Sequence, residues 1–323
     1  MRDLIAQAQS TSRPKKRWSM IALSVLLGIS GSTLAATSEL KIGFQKYGTL
    51  PILKARGTLE KALKPQGMSV RWVEFPAGPQ LLEGLNVGSI QLGETGEAPP
   101  IFAQAAQAPL VYIANQPAAS TAEALIVPKN SPYKTIAELK GKRIALNKGS
   151  NVHYLLLKLL EKNGLKLADI QAIYLPPADA RAAFEKGAVD AWVIWDPFLA
   201  AAEKQLGART IANGSNLVSN YQFYLADRTF ATQNPKIVQT VMNELNSTSQ
   251  WAQHNRNEAA KVLQQQTGLA LPIVSLSVNR MGFGIKPVNA TVIAAQQKVA
   301  DAFSNQGLIP KPIKVSAATI NLK

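Results

Sequence analysis

The sequence predicts an α/β protein of two similarly built lobes with a ligand cleft between them, and three observations carry that prediction. The first is an internal repeat offset by about a hundred positions. Lys41-Ile42-Gly43-Phe44-Gln45-Lys46 is echoed by Arg143-Ile144-Ala145-Leu146-Asn147-Lys148, residues 70–76 by 170–176, and Gly88-Ser89-Ile90-Gln91-Leu92 by Gly187-Ala188-Val189-Asp190-Ala191. The second is that each copy runs strand, turn, helix in the same order, which is lobe-sized repetition and too long a period for a solenoid. The third is size: 323 residues, 46% of them hydrophobic, suffice for two cores of ordinary domain size. Clefts at domain interfaces and at the carboxyl ends of parallel strands are where small ligands bind.

Taken in order, the apolar residues 40–44 read as a short buried strand, and 49–63 as a helix that tolerates Pro51 in its first turn. Residues 68–75 alternate as a strand, and Gly78-Pro79-Gln80 opens a helix that closes at Gly88, before a brief strand at 90–92. A helix follows Pro99-Pro100, then a strand at 111–113, and residues 124–127 form the strand that leads into the second copy. There a short helix at 135–139 and a strand at 144–146 precede a helix at 152–162, stopped by Asn163-Gly164. A strand at 170–175, a helix at 179–186, a strand at 191–194 and a helix from Asp196 complete the copy, with Asp196 as N-cap and Pro197 as first helical residue. Residues 221–226 read as the strand that returns to the first lobe. Helical patterns at 235–254, 257–266 and 290–305 are expected to brace that lobe. The predicted boundaries are a leader at 1–36, a first lobe at 37–124 with 225–323, and a second lobe at 125–224, joined by two crossings that make a hinge.

The leader is expected because Arg13-Pro14-Lys15-Lys16-Arg17 precedes an apolar run ending in small residues near Ala35 and Ala36, the pattern of a cleavable secretory signal. The run is too short for a membrane span. There is no cysteine, so an exported protein of this composition relies on its core instead of disulfides, which suits the periplasm. The net charge is +15, and the excess persists when the leader is set aside. Its basic residues are scattered, without an RNA-binding signature, which argues against nucleic acid; the field favours an anionic ligand.

Lys148-Gly149-Ser150-Asn151 lies where a strand ends and a helix begins. Unpaired amides at that helix N-terminus, with Ser150 and Asn151, could cradle an oxyanion, although ordinary N-capping accounts for the same residues. The matching turn of the first copy offers Gln45. Gly78-Pro79 and Thr95-Gly96-Glu97 are further strand-to-helix turns on the same side, Gly96 permitting close approach and Thr95 and Glu97 donating, accepting or capping. Of Trp192 and Trp195, which alternate across a strand, Trp195 is the candidate for the cleft, with Tyr221 a second aromatic. His153, one turn into the cradle, could donate to an anion or serve packing. The two histidines lack partners at metal spacing, no catalytic or phosphate-loop motif occurs, and no metal or cofactor is expected.

Residues 72–80 (Trp72-Val73-Glu74-Phe75-Pro76-Ala77-Gly78-Pro79-Gln80), 85–93 running into Thr95-Gly96-Glu97-Ala98-Pro99-Pro100, 177–184, Asp190-Ala191-Trp192-Val193-Ile194-Trp195-Asp196-Pro197 and 285–290 resemble the aliphatic-sulfonate-binding periplasmic component of ABC importers. The resemblance covers the mature chain and extends to the taurine- and nitrate-binding relatives. It implies a type II periplasmic binding fold that closes on a small organic sulfonate and delivers it, as a monomer, to an inner-membrane permease driven by an ATPase. It places binding turns at Gln45, Gly78-Pro79, Thr95-Gly96-Glu97, Ser150-Asn151 with His153, and Trp195-Asp196. Glu97 stands where relatives often carry Asp, and Asn151-Val152 replaces a serine-rich run, so taurine, nitrate or another small anion stays open as the ligand. The other class on this scaffold is an enzyme making pyrimidine precursors, which would need a reactive side chain in the cleft.

Overall fold

The computed structural model describes residues 38–320. The leader expected at 1–36 lies outside the described residues. The described chain contains β1 (Ser38–Phe44), α1 (Leu50–Arg56), α2 (Thr58–Leu63), β2 (Met68–Glu74), α3 (Gly78–Asn86), β3 (Leu92–Gly96), α4 (Pro99–Ala105) and β4 (Leu110–Asn115). It continues through β5 (Glu123–Val127), β6 (Arg143–Leu146), α5 (Asn151–Lys162), β7 (Gln171–Tyr174), α6 (Pro177–Glu185), β8 (Ala191–Trp195), α7 (Phe198–Leu206) and β9 (Arg209–Asn213). The last part holds β10 (Gln222–Asp227), α8 (Arg228–Gln233), α9 (Pro235–His254), α10 (Arg256–Thr267), α11 (Leu271–Arg280) and α12 (Ala290–Asn305).

The strands form two five-stranded sheets, ordered β2-β1-β3-β10-β4 and β7-β6-β8-β5-β9. The orders are equivalent strand for strand: three parallel strands from one copy of the repeat, then an antiparallel strand on which the chain arrives from the other sheet. Those arriving strands are β5 and β10, so the chain crosses twice. The repeat is visible down to single hydrogen bonds. Gln91 N donates to Lys41 O at 2.9 Å while Lys41 N donates to the Gln91 side chain at 2.8 Å. Asp190 N likewise donates to Arg143 O at 2.8 Å while Arg143 N donates to the Asp190 carboxylate at 2.9 Å.

Several elements differ from what the sequence pattern predicts. The helix expected at 49–63 breaks at Gly57, whose φ of 61° lets its N–H close α1 on the carbonyls of Leu53 and Lys54. The strand expected at 90–92 instead runs from Leu92 to Gly96, because β10 pairs with it as far as Gln222↔Gly96, a partner some 130 residues away that no local pattern announces. Thr95 and Gly96 are therefore the end of a strand. The short helix at 135–139 is only a 3-10 turn at Ala137–Leu139, fastened by Lys134 and Thr135 amides donating to Glu138 at 2.6 and 2.8 Å. β9 and α11 lie where no element was predicted.

The C-terminal helices do more than brace the first sheet. α9 and α10 pack on α1 and α2, but α11 packs on α7 beside the second sheet and α12 reaches α5. Arg280 of α11 secures this contact, donating to Glu203 at 2.7 Å and to Asp196 at 3.4 Å. Phe303 of α12 is fully buried against His153 and Tyr154 of α5. The core is thus continuous across the two sheets at one edge, where burial of each large side chain stabilises by roughly 1.5–3 kcal/mol.

Candidate functional site

The carboxyl ends of β1 and β3 in one sheet face those of β6 and β8 in the other, and the turns leaving them enclose a cavity of about 30 Å³. Seven of the twelve candidate residues line it: Gln45, Gly78, Thr95, Gly96, Ser150, Asn151 and Trp195. Local geometry explains how they meet. Gln45 folds back on the β1–α1 turn and its amide donates to Glu94 O at 3.1 Å. Gly78 begins α3 so tightly against β3 that a Cβ there would lie 2.0 Å from Thr95 Oγ1. A Cβ on Gly96 would meet the Asn151 amide at 2.2 Å, so the absence of a side chain lets the two sheets approach.

On the far side, His153 N closes the first turn of α5 on Ser150 O at 3.0 Å, which leaves the Asn151 and Val152 amides without a preceding turn to satisfy them. The side chains there, however, are committed to protein. The Ser150 hydroxyl donates to Asn147 O at 2.7 Å and makes no cap hydrogen bond. Asn151 accepts from Ala98 N at 3.1 Å and donates to Asn220 Oδ1 at 2.5 Å, and Asn220 in turn donates to Ala119 O at 3.0 Å. Asn151 is a latch between the sheets, not a free amide over the cavity.

Five candidates are not brought to the cavity. Pro79 lines a neighbouring cavity of about 480 Å³ with Phe102 and Tyr174. Glu97 is buried and accepts from Tyr221 N at 3.1 Å, which engages Tyr221 as well; burial raises the Glu97 pKa to about 7. His153 has no exposed surface, accepts from Gly149 N at 3.3 Å and packs between Tyr174 and Phe303; burial, then Lys148, lowers its pKa to about 4, so the ring is neutral, and its unpartnered Nε2 lies outside the lining of this cavity. Asp196 lies under the turn, accepting from Ala200 N at 3.0 Å and from Arg280; burial raises its pKa to about 7 against the pull of Arg280. Helix α7 accordingly starts at Phe198 and not at Pro197.

Residues that the sequence did not single out complete the lining, chiefly Tyr47, Glu94, Asn220 and Gln222. Tyr47 and Glu94 adjoin predicted positions, but which way they point depends on Gly48, whose φ of 91° folds the turn onto the Glu94 carboxyl. Asn220 and Gln222 arrive with the distant β10. Three buried polar atoms of this lining have no partner among the described residues: Tyr47 Oη, Thr95 Oγ1 and Glu94 Oε1. Burial, then the negative fields of Asp196, Glu94 and Glu123, raises the Tyr47 pKa well above its ordinary value, so its hydroxyl remains a donor. Among the described residues no lysine or arginine lines the cavity.

Beyond Gln45, Tyr47 and Trp195 a second cavity of about 370 Å³ opens, walled by Phe75, Pro76, Pro176, Pro177 and Phe198. Its rim carries Lys46, 3.5 Å from Glu74, and Arg181, 2.6 Å from Glu185. The site therefore joins a small polar end to a larger apolar one. Among the described residues no cluster of acids and histidines could hold a metal ion.

Known proteins share this fold. The family described as NMT1/THI5 like matches residues 63–259. A curated relative from Escherichia coli K12, described as an aliphatic sulfonates-binding protein, is 46% identical over 300 residues, 91% of this chain and 93% of that one. The alkanesulfonate-binding protein of Xanthomonas axonopodis pv. citri, solved bound to MOPS, superposes with a TM-score of 0.84 at 44% identity, covering 88% of this chain and 99% of that one. The periplasmic aliphatic sulphonate binding protein of Escherichia coli superposes with a TM-score of 0.79 at 44% identity, covering 88% and 92%.

Proposed function

We propose, from the premise that the chain belongs to the NMT1/THI5-like family and within it to the aliphatic-sulfonate-binding proteins, that it captures small organic sulfonates without breaking a bond. The observation that carries this is the junction of the two cavities. A sulfonate is a permanently anionic head, all acceptor, on an apolar tail. The Tyr47 and Thr95 hydroxyls and the Asn151 backbone amide at the start of α5 are donors at the head position, without a fixed cation among the described residues that line it. The walls of Phe75, Pro76, Pro176, Pro177, Trp195 and Phe198 offer an apolar lodging for the tail. The polar end takes the head and the larger apolar end the tail, with the β5 and β10 crossings as the hinge about which the two sheets close on both.

The lobes in this scheme are 37–124 with 225–323, and 125–224; the two sheets support a two-lobed division, with β5 from Glu123 and β10 from Gln222 lying wholly in the sheets they enter. The binding set comprises Gln45, Gly78, Thr95, Gly96, Ser150, Trp195 and Tyr47, with Asn151 closing the lobes over the ligand. The leader at 1–36 directs the protein to the periplasm, where it acts as a monomer and hands the sulfonate to an ABC permease with its ATPase. The periplasmic relatives support this placement.

Titration calorimetry in phosphate buffer is the direct test, with hexanesulfonate, methanesulfonate, taurine and nitrate as ligands. Saturable one-to-one binding of hexanesulfonate, with a change in tryptophan fluorescence from Trp195, is the expected outcome. No heat with any of the four refutes the assignment.

A further inference from the structure

Among the described residues Glu94 is the one acid lining the polar cavity, and its surroundings are unusual for an acid beside an anion site. The side chain is 3% exposed. Its Oε2 receives the Leu50 amide at 3.5 Å and its Oε1 has no hydrogen-bond partner, while the Thr49 amide and the Tyr224 hydroxyl are turned weakly to the carboxyl. No lysine or arginine of the described residues makes an ion pair with it. The titratable groups that face it are the Tyr47 hydroxyl from the β1–α1 turn and the Tyr224 hydroxyl from β10, both held protonated by burial. The next charges, Asp196, Glu123 and Arg280, act on Tyr47 from the far side.

An ionised carboxylate in this position would sit next to the sulfonate with no cation to offset the repulsion, at the low effective dielectric of a buried site. A neutral carboxylic acid has the opposite effect, because it adds a donor to the two hydroxyls. We propose that Glu94 is a ligand-binding residue that enters the complex as the neutral acid and donates its hydrogen to a sulfonate oxygen, so that anion capture is coupled to proton uptake. The proton comes from solvent onto the Glu94 carboxylate of whichever molecules are ionised before binding, and it leaves again on release. Burial already raises the pKa of the free site to about 8, so the coupling is silent at neutral pH and appears above it. The inference rests on the sulfonate assignment of the site.

The sign follows from linkage. A pH unit or more below 8 Glu94 is already protonated and Kd is flat; above 8, each pH unit raises Kd towards tenfold, as binding must first restore the proton. Hexanesulfonate titrated into the full mature protein should bind about tenfold more weakly at pH 9 than at pH 7. At pH 8 the apparent enthalpies in phosphate and in Tris, neither of them a sulfonate, should differ by the uptake of about half a proton per ligand. Glu94→Gln, a donor that does not titrate, should show a Kd at pH 9 within about twofold of its own value at pH 7. A wild-type Kd that stays flat to pH 9 with no buffer-dependent heat overturns the coupling while leaving sulfonate capture intact. So does a Glu94→Gln variant that keeps the full tenfold loss. Absence of hexanesulfonate binding from pH 6 to pH 9 removes the sulfonate assignment and the coupling together.

Discussion

The β1–α1 and β3 ends of the first sheet and the β6–α5 and β8 ends of the second are the same structural solution, yet they use their polar groups in opposite ways. In the first, Tyr47, Glu94 and Thr95 each keep a buried polar atom without a protein partner. In the second, the side chains that line the cavity are engaged, Ser150 by Asn147 and Asn151 by Ala98 and Asn220, and the buried atoms left unpartnered there, among them Asn147 Oδ1, His153 Nε2 and Asp196 Oδ2, lie outside this lining. The interiors differ as well: Gly93 of β3 and Trp192 of β8 hold equivalent places in the ladder, beside Gly43 and Ala145 respectively. One half therefore holds chemistry in reserve, and the other supplies rigidity, closure and an aromatic wall. Duplication preserved the backbone scheme while the side chains divided the work.

The largest expected effect would come from removing the rigid half's anchor. Trp192 is fully buried against Phe184, and Trp192→Ala should cost about 3–5 kcal/mol in urea unfolding; a loss below 1 kcal/mol would mean the second sheet tolerates the cavity and is not the rigid partner. Next is His153. Its folded pKa near 4 lies below the ordinary 6.5, so the stability it contributes is complete above pH 6.5 and is lost as pH falls towards 4. Over that window wild type should lose on the order of 3 kcal/mol relative to His153→Leu, and parallel pH profiles would show that His153 titrates freely, outside the packed half.

Smaller changes separate wall from head. Trp195→Ala should weaken hexanesulfonate by about 2 kcal/mol but methanesulfonate much less, because only the longer tail reaches the apolar cavity. Equal losses for both ligands would place the tail elsewhere, for instance towards Pro79 and Phe102. Thr95→Val should raise Kd roughly tenfold, about 1.5 kcal/mol, with little change in unfolding. Ser150→Ala, whose hydroxyl already serves Asn147, should change binding by no more than about 0.5 kcal/mol. If the serine variant proved the weaker binder, the division of labour between the halves would be reversed.

Much of the molecule was open to local reasoning. The strands at 40–44, 68–75 and 144–146, the helices opened by Pro51, Gly78 and Pro235 and the two crossings follow from apolar periodicity and capping, which act over a few residues. The seven lining residues found in advance sit at turns where a strand's carboxyl end meets a helix start, a position that chain order already specifies. His153, Glu97, Asp196 and Tyr221 lie beside those turns in sequence and beneath them in space. Which of two neighbouring side chains faces a cavity depends on the strand register, and the register of β3 depends on its pairing with β10, far along the chain.

The sequence by itself determined the α/β class, the duplicated lobe, the two crossings and the family, because each rests on local periodicity or on motifs held within a short stretch. Only the tertiary structure decided that Glu94 and Tyr47 line the cavity, that Asn151 is a latch and that α11 binds the second sheet through Arg280. The physical reason is that burial and hydrogen-bond partnership belong to pairs of distant segments, and whether a polar group is free for a ligand is settled only when every other partner has been placed.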